Sequence, residues 1–311
     1  MILCCGEALI DMVPVEGVDG LTTYAPLSGG AIFNTAIALG RLEVPVQFMS
    51  GISTDLFGEQ LVRELRASGV GTKLLSRSKR PTTLAFVKLV NGHAQYTFYD
   101  ENTAGRMLRA DRLPDVGPDI KALYFGGISL CAEPAANAYE ELAIRESAHK
   151  VLMIDPNIRT GFIEDEDTYR ARLNRIIAVT DIVKVSDEDL DWMRPENKPL
   201  NAKVADIHRQ GAGLVIVTKG RDGASAYIKG RDAVNVNAPK VTVADTVGAG
   251  DTFNAGFLAE LHNMDLLCKQ KLVEIGTSDI VHALEYAAKV AAITVSRSGA
   301  DSPYLAELLI E

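Results

Sequence analysis

Asp245-Thr246-Val247-Gly248-Ala249-Gly250-Asp251-Thr252-Phe253 is the stretch on which the reading of this chain turns. It follows an extended run, Val241–Ala244, and opens a segment whose apolar residues Phe253, Phe257, Leu258 and Leu261 recur at helical spacing. Glycines at such a junction let backbone N–H groups point outward at a helix N-terminus, where the helix dipole also favours negative charge. Asp251 sits where those donors converge. A carboxylate repels phosphate, so it fits there as a base that takes a proton from an alcohol attacking phosphorus. The plainer alternative makes Asp251 a helix N-cap and Gly-Ala-Gly an ordinary turn. The stretch is neither a Walker loop nor a dinucleotide fingerprint, because neither GxxxxGK[ST] nor GxGxxG occurs in the chain.

Around this stretch, apolar β-rich runs alternate with helix-period segments. The expected buried strands are Val46–Ser50, Ala122–Phe125, Val151–Asp155, Ile182–Val185 and Leu214–Thr218. The expected helices between them are Ala31–Arg41, Glu59–Ser68, Ala135–His149, Thr168–Val179 and Ala202–Gln210. Such alternation indicates an α/β fold, a central mostly parallel sheet with helices on both faces. One stretch breaks the rhythm: Thr83–Val90 and His93–Phe98, joined by Asn91-Gly92, read as a hairpin. Ala94, Tyr96 and Phe98 alternate with polar residues and give the second strand one apolar face, suited to a lid or a dimer surface.

Further segments supply polar groups at strand or helix ends. Ser28-Gly29-Gly30-Ala31-Ile32-Phe33-Asn34 precedes an apolar helix; its glycines allow close approach, and the Asn34 amide both donates and accepts. Glu7-Ala8-Leu9-Ile10-Asp11 ends the first apolar strand with an acid, where a carboxylate can accept hydrogen bonds from a diol. Thr218-Lys219-Gly220-Arg221-Asp222-Gly223 gives a glycine-rich bend with basic residues, and Arg159, after Asp155-Pro156-Asn157-Ile158, places a guanidinium for phosphate oxygens. Ser186-Asp187-Glu188-Asp189 offers oxygen ligands for a water-coordinated Mg²⁺, although acids also simply favour helix N-termini.

Composition sets limits on function. Of 311 residues, 47% are apolar and 23% charged, as in ordinary globular enzymes, and the formal charge is −9. The acidity argues against a nucleic-acid partner, and no apolar run reaches membrane-spanning length. Four cysteines lack CxxC spacing and five scattered histidines lack metal-ligand spacing, so reduced structural thiols are expected. The start, Met1 to Pro14, lacks the pattern of a secretory signal, and the expectation is cytoplasmic residence.

Together the segments resemble, in order, the ribokinase (PfkB) family of sugar kinases. Gly29-Gly30-Ala31-x-x-Asn34 looks like the family's N-terminal signature and Asp245 to Phe253 like its C-terminal one. The resemblance implies a ribokinase-like fold over residues 1–311 with a small β-sheet lid, its strands inserted near 12–27 and 82–100. It implies ATP-dependent phosphorylation with Asp251 as base and Gly248, Ala249 and Gly250 as the anion hole. Asp11, Gly30 and Asn34 would bind sugar hydroxyls; Thr218, Gly220 and Gly223 would line the nucleotide site, with Arg159 near the phosphates. Asp245, Val247 and Ala300 resemble a monovalent-cation loop for K⁺. The family's Asn-x-x-Glu motif is here Ser186-x-x-Asp189, so Mg²⁺ falls to Asp189 or Glu188. The opening Gly6 to Asp11, Phe98 to Ala104 and Asp155-Pro156-Asn157-x-Arg159 look like bacterial fructokinases, which implies fructose as acceptor. Related 2-keto-3-deoxygluconate kinases share much of this. A nucleoside kinase and a sugar sensor without turnover are lesser alternatives, and a homodimer through the lid is a further expectation.

Overall fold

The computed structural model describes residues 1–17, 20–90 and 93–309. Chain order begins with β1 (Ile2–Cys5), β2 (Leu9–Glu16), β3 (Thr22–Gly29), α1 (Ala31–Arg41), β4 (Val46–Met49), β5 (Gly51–Ser53) and α2 (Leu56–Ala67). It continues through β6 (Ser76–Ser78), β7 (Leu84–Val90), β8 (His93–Tyr99), β9 (Ala122–Gly126), α3 (Ala135–Glu146), β10 (Val151–Asp155) and α4 (Glu166–Ile177). Next come β11 (Ile182–Ser186), α5 (Asp187–Met193), α6 (Leu200–Gln210), β12 (Leu214–Thr218), β13 (Ala224–Ile228) and β14 (Val234–Val236). The last elements are the helices α7 (Ala249–Asn263), α8 (Lys269–Val273), α9 (Thr277–Val295) and α10 (Leu305–Leu308).

Eight strands form the main sheet in the order β14-β13-β12-β11-β10-β9-β1-β4, parallel except for the antiparallel pairings of β13 and β14. Its central strands are mostly apolar runs because both faces are covered. Alternate residues of β1 enter different cores. Ile2 and Cys4 pack with α1, α2, α7 and α9, whereas Leu3 and Cys5 pack with α3, α4, α5 and α6. The chain runs from β1 to β4 on one side and to β9 on the other. Strand order therefore reverses beside β1, and ligand crevices lie outside the carboxyl ends of strands at such a point.

A four-stranded sheet, β3-β2-β7-β8, stands over that end. Phe98 on β8 packs edge-on against Phe162, in the turn after Arg159, with ring centroids 4.9 Å apart. Leu9, Ala85 and Ile128 complete this small apolar cluster between the sheet and the main body.

The structure moves several boundaries read from sequence. Residues 2–11 are two strands, not one: the chain breaks at Gly6, so Asp11 lies inside β2 rather than at a strand end. Helix α2 begins before Glu59 because Asp55 accepts the Gly58 amide at 2.7 Å, and Asp165 does the same for α4 through the Thr168 amide. Val241–Ala244 forms no strand, because β14 already ends the main sheet; Val241 and Val243 are exposed. The Asn91-Gly92 turn lies outside the described residues, but the flanking strands pair antiparallel as expected. Among the described residues no helix is long and apolar enough to cross a membrane.

Candidate active site

A cleft of about 320 Å³ opens between the small sheet and the carboxyl ends of the main strands. It gathers Asp11, Gly30, Asn34, Arg159, Val247, Gly248, Ala249, Gly250 and Asp251 from the sequence-derived candidates. It also recruits Glu7, Asn157 and Lys184, to which the sequence gives no role in the site, and Tyr96 and Phe98 from the apolar face suited to a lid.

Asp251 is the third residue of α7, and the N-cap is Gly248, so its carboxylate is free of the capping duty that a plain turn would give it. Gly248 has φ 76°, and a Cβ there would come within 2.6 Å of the Ala300 Cβ. The left-handed backbone and the close packing of the 300 loop both require glycine. The Asp251 side chain is 7% exposed. Its Oδ2 accepts from Asn34 Nδ2 at 2.9 Å and its Oδ1 from Asn157 Nδ2 at a long 3.4 Å, so two amides from opposite walls orient it. Burial is the largest influence and raises the carboxyl to about 7; Asp155 raises it as well, while Asn34, Lys184 and Arg159 oppose the shift. A carboxyl poised near neutrality at the first turn of a helix, where the Ala249 amide donates to the Thr246 carbonyl at 3.3 Å, can accept a proton while an anion sits at the helix N-terminus.

The wall toward β1 carries two acids. Asp11, on the cleft-facing side of β2, is pushed up to about 6 by burial. Glu7 follows β1 at the Gly6 break and spans two element starts. Its Oε1 accepts the Ala31 amide at 3.0 Å and its Oε2 the Ser129 amide at 3.3 Å. Burial raises its carboxyl too. Gly127 has φ 64°, and a Cβ there would stand 2.1 Å from Glu7 Oε1. Glu7 thus fastens the start of α1, including the N-cap Gly30, to the turn after β9. The sequence signal was an acid directly after a buried run, hidden by reading residues 2–11 as one strand.

Beneath the opposite wall lies a buried network. Asp155, 1% exposed, accepts from Lys184 Nζ at 2.8 Å and from Asn254 Nδ2 at 2.7 Å. Asn254 Nδ2 also reaches the Tyr124 hydroxyl at 2.8 Å. Arg159 is exposed at the rim, its guanidinium on the backbone carbonyls of Asn157 and Ile158.

The other candidates lie outside this cleft. Thr218 ends β12, and Gly220 and Gly223 follow it; Lys219, in the same bend, turns inward to Ser225 Oγ at 2.7 Å. Asp245 accepts from the Val247 amide at 3.1 Å and the Gly299 amide at 2.9 Å, tying the loop before α7 to the loop holding Ala300. Asp189 Oδ1 accepts the Ile158 amide at 3.2 Å, and Glu188 is exposed. Among the described residues no group of three or more His, Cys, Asp or Glu could hold a metal ion.

Residues 1–307 match the model of the pfkB family carbohydrate kinase. A curated relative, the fructokinase of Rhizobium leguminosarum bv. trifolii, is 53% identical over 275 residues, covering 88% of this chain and 84% of that one. Among solved structures, the fructokinase of Xylella fastidiosa with bound ATP superimposes with a TM-score of 0.91 at 29% identity, covering 99% of this chain and 96% of that one. The aminoimidazole riboside kinase of Salmonella enterica, complexed with aminoimidazole riboside and an ATP analog, gives a TM-score of 0.85 at 25% identity over 99% of this chain and 98% of that one.

Proposed function

The chain belongs to the pfkB family of carbohydrate kinases, and from that premise we propose that it transfers the γ-phosphoryl group of ATP to D-fructose, giving D-fructose 6-phosphate. The observation that carries the reading is Asp251 itself, buried, held between two amides, raised to about 7, and set on the first turn of α7. The likeness to bacterial fructokinases over most of the chain points the same way.

In this mechanism Asp11, Gly30 and Asn34 bind sugar hydroxyls and bring the primary hydroxyl to Asp251. Asp251 takes its proton as the oxygen attacks phosphorus. The amides of Gly248, Ala249 and Gly250 receive charge on the transferring group, and Arg159 offsets charge at the rim. Thr218, Gly220 and Gly223 line the nucleotide site. The small sheet acts as a lid: Tyr96 and Phe98 cover the cleft and exclude water, which strengthens every charge interaction inside. Glu188 and Asp189 would hold, through water, a Mg²⁺ that would offset the charge of the nucleotide phosphates, since Mg²⁺ rarely needs an all-protein cage. The loops joined by Asp245, with Val247 and Ala300, form the site for an activating K⁺. The exposed aromatics Tyr24 and Tyr99 on the outer face of the lid suit a homodimer, and the protein acts in the cytoplasm.

Charge placement favours a neutral sugar over a sugar acid. The cleft's cations, Arg159 and Lys184, stand on the β10–β11 side, while the side toward β1 and the lid carries Glu7 and Asp11. A substrate carboxylate would meet two acids there. Coupled ADP release with Mg²⁺ and K⁺ across fructose, 2-keto-3-deoxygluconate, ribose and adenosine tests the reading. Fructose should dominate kcat/KM; turnover confined to another acceptor would overturn the substrate, and silence with all four would reopen both the acceptor and the sugar sensor without turnover.

A further inference from the structure

Lys184 has no role in the mechanism above, yet its position is costly. It interrupts the apolar run Ile182, Val183, Val185 at the centre of the main sheet and is 4% exposed. A buried ammonium loses hydration that a single ion pair rarely restores in full. Its partner Asp155 is already met by Asn254 Nδ2 and by the Asn157 amide at 3.1 Å. Among the described residues, the hydrogen bonds of Lys184 use one of its three donors, the 2.8 Å bond to Asp155. The ammonium nevertheless lines the cleft, and a Cβ placed on Gly250 would lie only 3.3 Å from it. It therefore stands beside the first turn of α7, next to the amides that face the same space.

We propose that Lys184 is a catalytic residue: its ammonium, steered by Asp155, donates to the oxygens of the transferring phosphoryl group from below, opposite the rim guanidinium of Arg159. The inference rests on the kinase reading. As the bond from phosphorus to the β,γ-bridging oxygen breaks and the bond to the sugar oxygen forms, the hydroxyl proton passes to Asp251. Lys184 keeps all its protons and holds the charge on the oxygens between them. Asp155 is a positioning residue that holds the Lys184 Nζ at 2.8 Å and keeps it aimed.

The competing account is structural, with Lys184 present only to neutralise Asp155. The two separate in Lys184→Met and in the double variant Lys184→Met/Asp155→Asn, which removes both charges and leaves none unpaired. The measurements are kcat and KM with fructose and MgATP, MgADP affinity by calorimetry, and thermal melting. Removing one preorganised donor typically costs about 10²–10³-fold in kcat. Both variants should lose about that much while MgADP affinity and the KM for fructose stay within about threefold of wild type. Recovery of kcat in the double variant to within about tenfold of wild type would overturn the proposal. So would a loss of MgADP affinity that tracks the loss of kcat. Wild-type protein silent with every sugar would instead sink the kinase reading beneath it, and that is read before the variants.

Discussion

Replacing Asp251 by Asn removes the ionisable group while keeping a polar side chain of the same shape between Asn34 and Asn157. Burial holds the carboxyl at about 7 in the folded chain, against about 3.9 in an unfolded one. The fold thus prefers the protonated acid, so this group's contribution to stability is greatest below pH about 4 and declines as pH rises toward about 7, beyond which it is constant. With 1.36 kcal/mol per pKa unit, the wild-type chain should lose about 2–3 kcal/mol from this one group between pH 5 and pH 8, and the variant none. Urea unfolding of both proteins at the two pH values tests it, because titrating groups that do not interact with Asp251 cancel in the difference. The variant's stability relative to wild type should be about 2–3 kcal/mol higher at pH 8 than at pH 5. Its kcat should fall about 10²–10⁴-fold, as expected for loss of a general base. A stability difference independent of pH would refute the raised carboxyl; wild-type turnover in the variant would refute the base.

The same carboxyl should give kcat/KM for the sugar an acid limb with a midpoint near pH 7, and removing the Asn34 bond that opposes the shift should move the limb to higher pH in Asn34→Ala, read from a pH–rate profile. Gly248→Ala puts a side chain at φ 76° against Ala300, so a melting scan should show a loss of at least about 1–2 kcal/mol, and steady-state kinetics should show a lower kcat as the amides over the phosphoryl site shift. Gly127→Ala drives a methyl into the Glu7 carboxylate; the KM for fructose should rise about tenfold or more while MgADP affinity, measured by calorimetry, stays unchanged.

How much of this was legible in the sequence depended on whether a residue's role is local. The strands β9 to β12 are readable because each is buried on both faces and so is mostly apolar, with Asp155 and Lys184 as the charged exceptions in β10 and β11. The α7 turn was readable because glycines beside an acid before a helical apolar face have few other uses. The split of residues 2–11 was not, because Gly6 is small enough to pass inside an apolar run, and with it Glu7 was overlooked. Lys184, Asn157 and Asn254 gave no local signal at all: their chemistry arises only when β10, β11 and α7 meet at one end of the sheet. Tyr96 and Phe98 form one apolar face in the sequence, but only the placement of the small sheet over the cleft turns that face toward a ligand.

The central claim is that this cleft phosphorylates the primary hydroxyl of fructose at carbon 6. Incubating the protein with ATP, Mg²⁺ and D-fructose and assigning the product by ³¹P and ¹³C NMR tests it most directly. The account predicts D-fructose 6-phosphate formed in step with ADP; phosphate on another oxygen, or ADP with no sugar phosphate, would contradict it.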